Sequence, residues 1–192
     1  MALPLPKLTP QEYLRIERDA EYRSEYYQGE MFAMAGGTRR HSQVAACIIR
    51  VLGNRLLGKG CQIYTSDLKV RTEPNGLYTY PDVTIVCGKP IQMEDEPHVI
   101  VNPKILFEVL SPSTEAHDRG FKFHQYKHIE SLTEYVLVSQ SEALVEWFSR
   151  EAGQPWTKYS EARGLNGILV LASLGIEVPL AEIYQDVDFL EA

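Results

Sequence analysis

The hexamer Ile105-Leu106-Phe107-Glu108-Val109-Leu110 is apolar at every position but one. A strand that is apolar on both faces belongs inside a sheet covered from both sides. The rest of the chain must therefore supply layers above and below it. Its one carboxylate, Glu108, is the difficulty, because an ionised carboxyl in such a place costs several kcal/mol unless it pairs, shifts its pKa or meets a cation. Glu108 needs a partner, and two other stretches offer one. Val83-Thr84-Ile85-Val86-Cys87 is a second strand of the same kind, entered through Tyr80-Pro81-Asp82, and Lys122 lies downstream in a segment that reads as helix.

The remaining elements follow from local signals. Thr9-Pro10 with Glu12 three residues after Thr9 predicts a capped helix over residues 9–18. Glu25 to Met34 is aromatic and apolar on both sides of Gln28-Gly29, which predicts a β-hairpin ended by Gly36-Gly37. Val44, Ile48, Val51 and Leu52 recur at helical spacing behind Thr38, giving a helix over 39–57 closed by Gly58. A strand is expected over 61–71, a turn at Glu73-Pro74-Asn75-Gly76, and an exposed loop over 88–103, rich in proline and acids. Phe121, Tyr126 and Ile129 place a helix over 116–128. A hairpin over 134–149, a strand over 156–160, short apolar strands over 164–174 and a short helix within 179–189 complete the chain. This order describes an α/β or α+β chain, a mixed sheet flanked by helices, and at 192 residues we expect a single domain.

No run approaches the ~20 apolar residues of a membrane span, and the first residues lack the apolar core of a signal peptide. A cytoplasmic protein is expected. Cys47, Cys61 and Cys87 are odd in number and set among apolar residues, the pattern of reduced core thiols. Charge is lopsided: residues 1–129 carry 16 Lys+Arg against 15 Asp+Glu, and residues 130–192 carry 3 against 11. Within the first part Arg39, Arg40, Arg50, Arg55 and Lys59 occur in an acid-free stretch, which suits either a phosphate-facing surface or a solvated helix face.

Two carboxylates on neighbouring buried strands make a hard-oxygen site suited to Mg²⁺ or Mn²⁺. Asp82 and Glu108 are the expected ligands, with the backbone carbonyl of Val109 as a third. Lys122 would stabilise charge developing on a phosphate.

Beyond these inferences, Tyr80-Pro-Asp-Val-Thr-Ile-Val86, Phe107-Glu-Val-Leu-Ser-Pro-Ser-Thr114, Asp118 with Lys122 and Tyr126, and Glu134-Tyr135 together resemble the Uma2 family. The run Glu25 to Glu30 resembles that family's N-terminal hairpin, His41 its histidine opening the long helix, and Leu165-Asn-Gly-Ile its late strand; the likeness spans about residues 10–185. The resemblance implies a PD-(D/E)XK nuclease: a restriction-endonuclease-like core, an N-terminal hairpin and extra C-terminal strands. Leu110 stands where the strict motif has lysine. In superfamily relatives that lysine can sit on the following helix, which makes Lys122 the candidate.

The expected activity is metal-dependent hydrolysis of DNA phosphodiester bonds, with Asp82, Glu108 and Lys122 as catalytic residues. Glu30, with Glu25 behind it as a further metal-site carboxylate, His41 and Tyr126 are accessory candidates, the basic residues from Arg39 to Lys59 are expected to contact DNA, and a homodimer is the natural assembly for cutting a duplex. Three alternatives stay open: a nuclease-fold protein that binds without cutting, a hydrolase for smaller phosphates, and an interaction module whose two acids form only a buried polar network.

Overall fold

The computed structural model describes residues 7–34, 36–72 and 76–190; the expected turn at 73–76 lies outside them except for Gly76. Helix α1 (Pro10–Asp19) starts from a closed capping box: the Glu12 amide donates to Thr9 Oγ1 at 3.2 Å while the Glu12 carboxylate accepts the Thr9 amide at 2.7 Å. The hairpin follows as β1 (Ser24–Tyr27) and β2 (Glu30–Ala33), joined through Gln28 and Gly29 at φ 48° and 94°. Two successive positive φ values match the right-handed twist of the flanking strands, and Gly29 meets them without steric cost.

Helix α2 (Arg39–Leu56) is followed by β3 (Cys61–Thr65), β4 (Lys69–Arg71), β5 (Tyr78–Thr79), β6 (Val83–Cys87), β7 (Gln92–Met93), β8 (Glu96–Ile100) and β9 (Ile105–Leu110). A helical stretch over 115–126, α3, is α-helical at its ends and wound as a π-helix over Asp118–Lys122. After it come β10 (Glu134–Ser139), β11 (Leu144–Ser149), β12 (Lys158–Arg163), β13 (Ile168–Leu171), β14 (Ile176–Pro179) and the short α4 (Leu180–Ile183).

These strands build two six-stranded sheets, ordered β12-β11-β10-β9-β6-β3 and β2-β1-β5-β4-β8-β7, and the pair β13-β14. The first sheet is mixed. Strands β9 and β10 run parallel, joined through α3, and its other pairings are antiparallel. Every residue of β9 is buried. Ile105, Phe107 and Val109 pack with Val44, Ile48 and Val51 of α2, while Leu106 and Leu110 pack with Phe123 and Tyr126 of α3. Period-two alternation therefore turns Glu108 towards α3.

Three expectations need correction. The stretch 88–103 is not an open loop: β7 and β8 lie within it, and Val99 and Ile100 are buried where β8 runs parallel to β4. The expected strand 61–71 is two strands in different sheets, β3 and β4. Cys61 and Cys87 are not separate thiols. The antiparallel register of β3 on β6 sets them opposite one another with Cα atoms 4.0 Å apart, and they form a disulfide, leaving Cys47 free.

Candidate active site

The β6–β9 ladder stops at Val83 opposite Phe107, just before Pro81, which has no amide proton to lend. Asp82 takes over there, its carboxylate accepting the Val109 amide at 2.7 Å. The first turn of α2 brings in His41, whose own amide is capped by Thr38 Oγ1 at 3.1 Å. The His41 Nε2 lies 3.1 Å from Asp82 Oδ2. Burial alone would lower the His41 pKa, but the Asp82 carboxylate, the charge of Asp118 and the Val109 carbonyl together raise it. His41 thus rests against the same two groups, Asp82 and the Val109 carbonyl, that the sequence marks as metal ligands.

Beneath them Lys122 is buried among three carboxylates. Its Nζ stands 3.2 Å from an oxygen of each of Glu108, Glu25 and Asp118. The π-wound turn matters here, because it directs Asp118 and Lys122 inward together; such local rewinding is frequent at functional sites. Tyr126 OH donates to Glu108 Oε1 at 2.8 Å, and Tyr135 OH holds the Asp118 carbonyl at 3.0 Å. Glu25 arrives from β1 in the other sheet. Its carboxylate accepts the Thr79 hydroxyl and lies 3.4 Å from His117 Nε2.

The charges explain the proton affinities. Burial pushes the Glu108 carboxyl well above the usual carboxylate range; Lys122 pulls it down, but Asp118 and Asp82 add to the rise. Glu25 is also desolvated, yet His117, Lys122 and Thr79 overcome this and lower it to about 2. Lys122 is desolvated too, and its three acids hold it well above the ordinary lysine value, so it stays a cation. Burial and the Glu108 charge likewise raise Tyr126, which stays a donor.

Asp82, Glu108, Val109, Asp118, Lys122 and His41 line one cleft of about 820 Å³, and the structure gathers Tyr126 beside them. The other candidates sit elsewhere. Glu30 is exposed on β2, away from this group. Arg50 donates to Glu182 and Gln185, and Arg55 to Glu177 and Glu182, so these two cations grip the chain's own C-terminal segment. Lys59 is exposed beyond the end of α2, and Arg39 and Arg40 lie in its first turn, each with an interaction of its own. Reading from sequence put Glu25 second to Glu30 and gave Asp118 no role of its own. The i, i+4 spacing of Asp118 and Lys122 was a usable signal; for Glu25 the signal was its place one strand residue from Tyr26, on the face shared with Tyr27.

The donors are hard oxygens, with more negative charge than Lys122 balances, which is the chemistry of a divalent-cation site. Among the described residues, however, no three His, Cys, Asp or Glu side chains already converge as a metal cage. Two carboxylates, a carbonyl and water suit Mg²⁺, which keeps several waters and needs few protein ligands.

Comparison with known proteins gives the fold and the family. The solved structure of "a putative nuclease belonging to DUF820 from Anabaena variabilis ATCC 29413" superposes with a TM-score of 0.72, at 17% identity, over 92% of this chain and 97% of that one, a likeness of fold. Two proteins of Synechocystis sp. (strain ATCC 27184 / PCC 6803 / Kazusa) are similar in sequence. "Uncharacterized protein slr1290" is 35% identical over 97% of this chain and 96% of its own length, and "Uncharacterized protein sll1609" is 31% identical over 78% and 84%. The model of the family described as "Uma2: Putative restriction endonuclease" matches residues 10–181, and the chain belongs to the Uma2 family.

Proposed function

We propose that this protein is a metal-dependent endonuclease that hydrolyses phosphodiester bonds in DNA. One observation carries the reading: Asp82, Glu108 and Asp118 share a cleft with a buried lysine that stands 3.2 Å from Glu108. Such a cluster is costly to the fold and is explained by chemistry on an anionic substrate. Asp82, Glu108 and the Val109 carbonyl would hold Mg²⁺ or Mn²⁺. Bound there, the ion would act as a Lewis acid on the phosphate and make water acidic enough to attack phosphorus in line.

The protein's residues supply position and charge. Lys122 is held as an ammonium, so it stabilises the negative charge that builds on the phosphoryl oxygens and does not serve as a base. It also compensates for Leu110, which is buried on the strand where the strict motif has lysine. Tyr126 holds one oxygen of Glu108, fixing its rotamer. His41 lies against Asp82 and the Val109 carbonyl, the two groups that would hold the ion, and would supply an imidazole at the edge of the loaded site. A homodimer, one site for each strand, belongs to the proposal. So does a cytoplasmic setting. No helix among the described residues is long and apolar enough to cross a membrane.

The test is nicking of supercoiled plasmid with Mg²⁺ or Mn²⁺ by the protein, Asp82→Ala and Glu108→Ala. Nicking by the wild type alone is expected, and equal nicking by all three would overturn the site. The second reading, a nuclease fold that binds without cutting, is favoured by the unconverged ligands and the high proton affinity of Glu108. DNA binding without nicking in either metal would establish it.

A further inference from the structure

The nuclease reading names DNA but not its form, and the rim of the cleft bears on that. Tyr22 is 80% exposed and lines the same cleft as Asp82 and Glu108. Met34 lines it too, and its amide donates to the Arg23 carbonyl at 3.0 Å, which fixes the segment carrying Tyr22 beside the end of β2. Tyr22 is thus an exposed aromatic ring at the cleft, flanked there by Glu21, Arg23 and Met34. Ser111, Ser113 and Thr114 add hydroxyls to the lining of the cleft.

The cations expected to seat a duplex are occupied in part. Arg50 and Arg55 hold the C-terminal segment, and Arg23 at the rim is tied to the Ser66 carbonyl and the Asp67 carboxylate. Duplex binding draws chiefly on phosphate neutralisation by Lys and Arg. Unpaired bases behave differently, because their exposed π-faces stack on aromatic side chains whatever the base.

We infer that Tyr22 forms a base-stacking platform that seats an unpaired nucleotide of a nucleic-acid strand at the rim, with a neighbouring phosphodiester over Asp82 and Glu108. The inference rests on the nuclease reading for its placement of the phosphodiester. It makes a single-stranded or flayed segment the substrate class, and it assigns Tyr22 the role of a positioning residue for the strand.

Binding is the readout, in a Glu108→Gln background so that no strand is cut. Fluorescence anisotropy at fixed salt would compare labelled single-stranded DNA, the same sequence as duplex, and single-stranded RNA. Single-stranded DNA should bind more tightly than duplex. Tyr22→Ala should weaken it by about 5- to 150-fold, the range of one lost base stack. Tyr22→Phe should bind as the parent does, and Tyr22→Trp should add a fluorescence signal that single-stranded DNA quenches. Equal binding of RNA would support a platform that ignores the sugar. Tighter binding of duplex, or unchanged single-strand affinity in Tyr22→Ala, would overturn the inference. The two readings fail separately: plasmid nicking with a Tyr22→Ala variant that binds normally removes the platform alone, whereas single-strand binding lost in Tyr22→Ala without any nicking removes hydrolysis alone.

Discussion

Replacing Glu108 with glutamine should stabilise the protein while abolishing its activity. The reasoning starts from three carboxylate oxygens, each 3.2 Å from Lys122 Nζ. At an effective dielectric constant of 20, the attraction of Glu108 for Lys122 is about 5 kcal/mol. The oxygens of Glu25 and Asp118 can lie no further from that of Glu108 than twice 3.2 Å, and each then repels it by at least about 2.6 kcal/mol. The repulsions take back most of that attraction, so the burial of Glu108 prevails over Lys122 and the Tyr126 hydrogen bond, and its pKa rises.

A carboxyl whose folded pKa lies above its unfolded one opposes folding, increasingly as pH rises from the unfolded value towards the folded one. At pH 7, above the ordinary value of 4.5, that opposition is in force. Glutamine has nearly the same shape and no charge. Glu108→Gln should then raise the melting temperature, by about 2–4 °C for each kcal/mol of opposition removed in a chain of this size. The gain should vanish as pH falls below 4.5, the ordinary value for this group. Differential scanning calorimetry from pH 4 to 8, beside plasmid nicking, is the assay. Mg²⁺ should raise the melting temperature of the wild type and not of the variant. A variant melting several degrees below the wild type at pH 7 would refute the reasoning and make Glu108 a structural partner of Lys122.

Other perturbations have opposite signs. Lys122→Met removes the cation from three carboxylates and should cost about 3–5 kcal/mol, visible as an early denaturant midpoint. Glu25 has its folded pKa lowered from 4.5 to about 2, so it contributes about 3 kcal/mol that is present above 4.5 and lost as pH falls through that window. Glu25→Gln should therefore lower stability at neutral pH and flatten the acid limb of the stability curve. Reducing Cys61–Cys87, which closes a 26-residue separation, should cost about 3–4 kcal/mol in melting experiments, and the oxidised chain should be 2 Da lighter than the reduced one by intact mass. Arg50→Ala with Arg55→Ala should lower stability and leave DNA affinity within about twofold, because both side chains already serve the C-terminal segment.

What was legible in the sequence was local. The Thr9–Glu12 box, the Gln28-Gly29 turn, the apolar stripe of α2 and the buried hexamer of β9 each declare themselves within a few residues, and each stands where it was expected. Asp82, Glu108 and Lys122 were legible because a carboxylate on an apolar strand demands a counter-charge, and a lysine on the next helix is near enough to be one. The rest depended on pairing between distant segments. Division of the strands into two sheets, the Cys61–Cys87 register and the arrival of Glu25 beside Lys122 are set by non-local contacts that leave no periodic trace. The charge asymmetry misled for the same reason. The acidic end of the chain folds back onto the basic face of α2 through Glu182, so two anomalies in the sequence are one contact in the fold.

Glu108, Asp118 and Lys122 lie on consecutive elements of one crossover, whereas Glu25 comes from a strand of the other sheet. The cluster can therefore begin to form early, but its lysine is fully surrounded only after the two sheets have docked. A chain still emerging from the ribosome presents Glu25 first and must wait for residues a hundred positions later. On the proposed nuclease reading, competence would be tied to completion of the fold, and a truncated or half-folded molecule would carry the acids without the arrangement that would make them dangerous to nucleic acid.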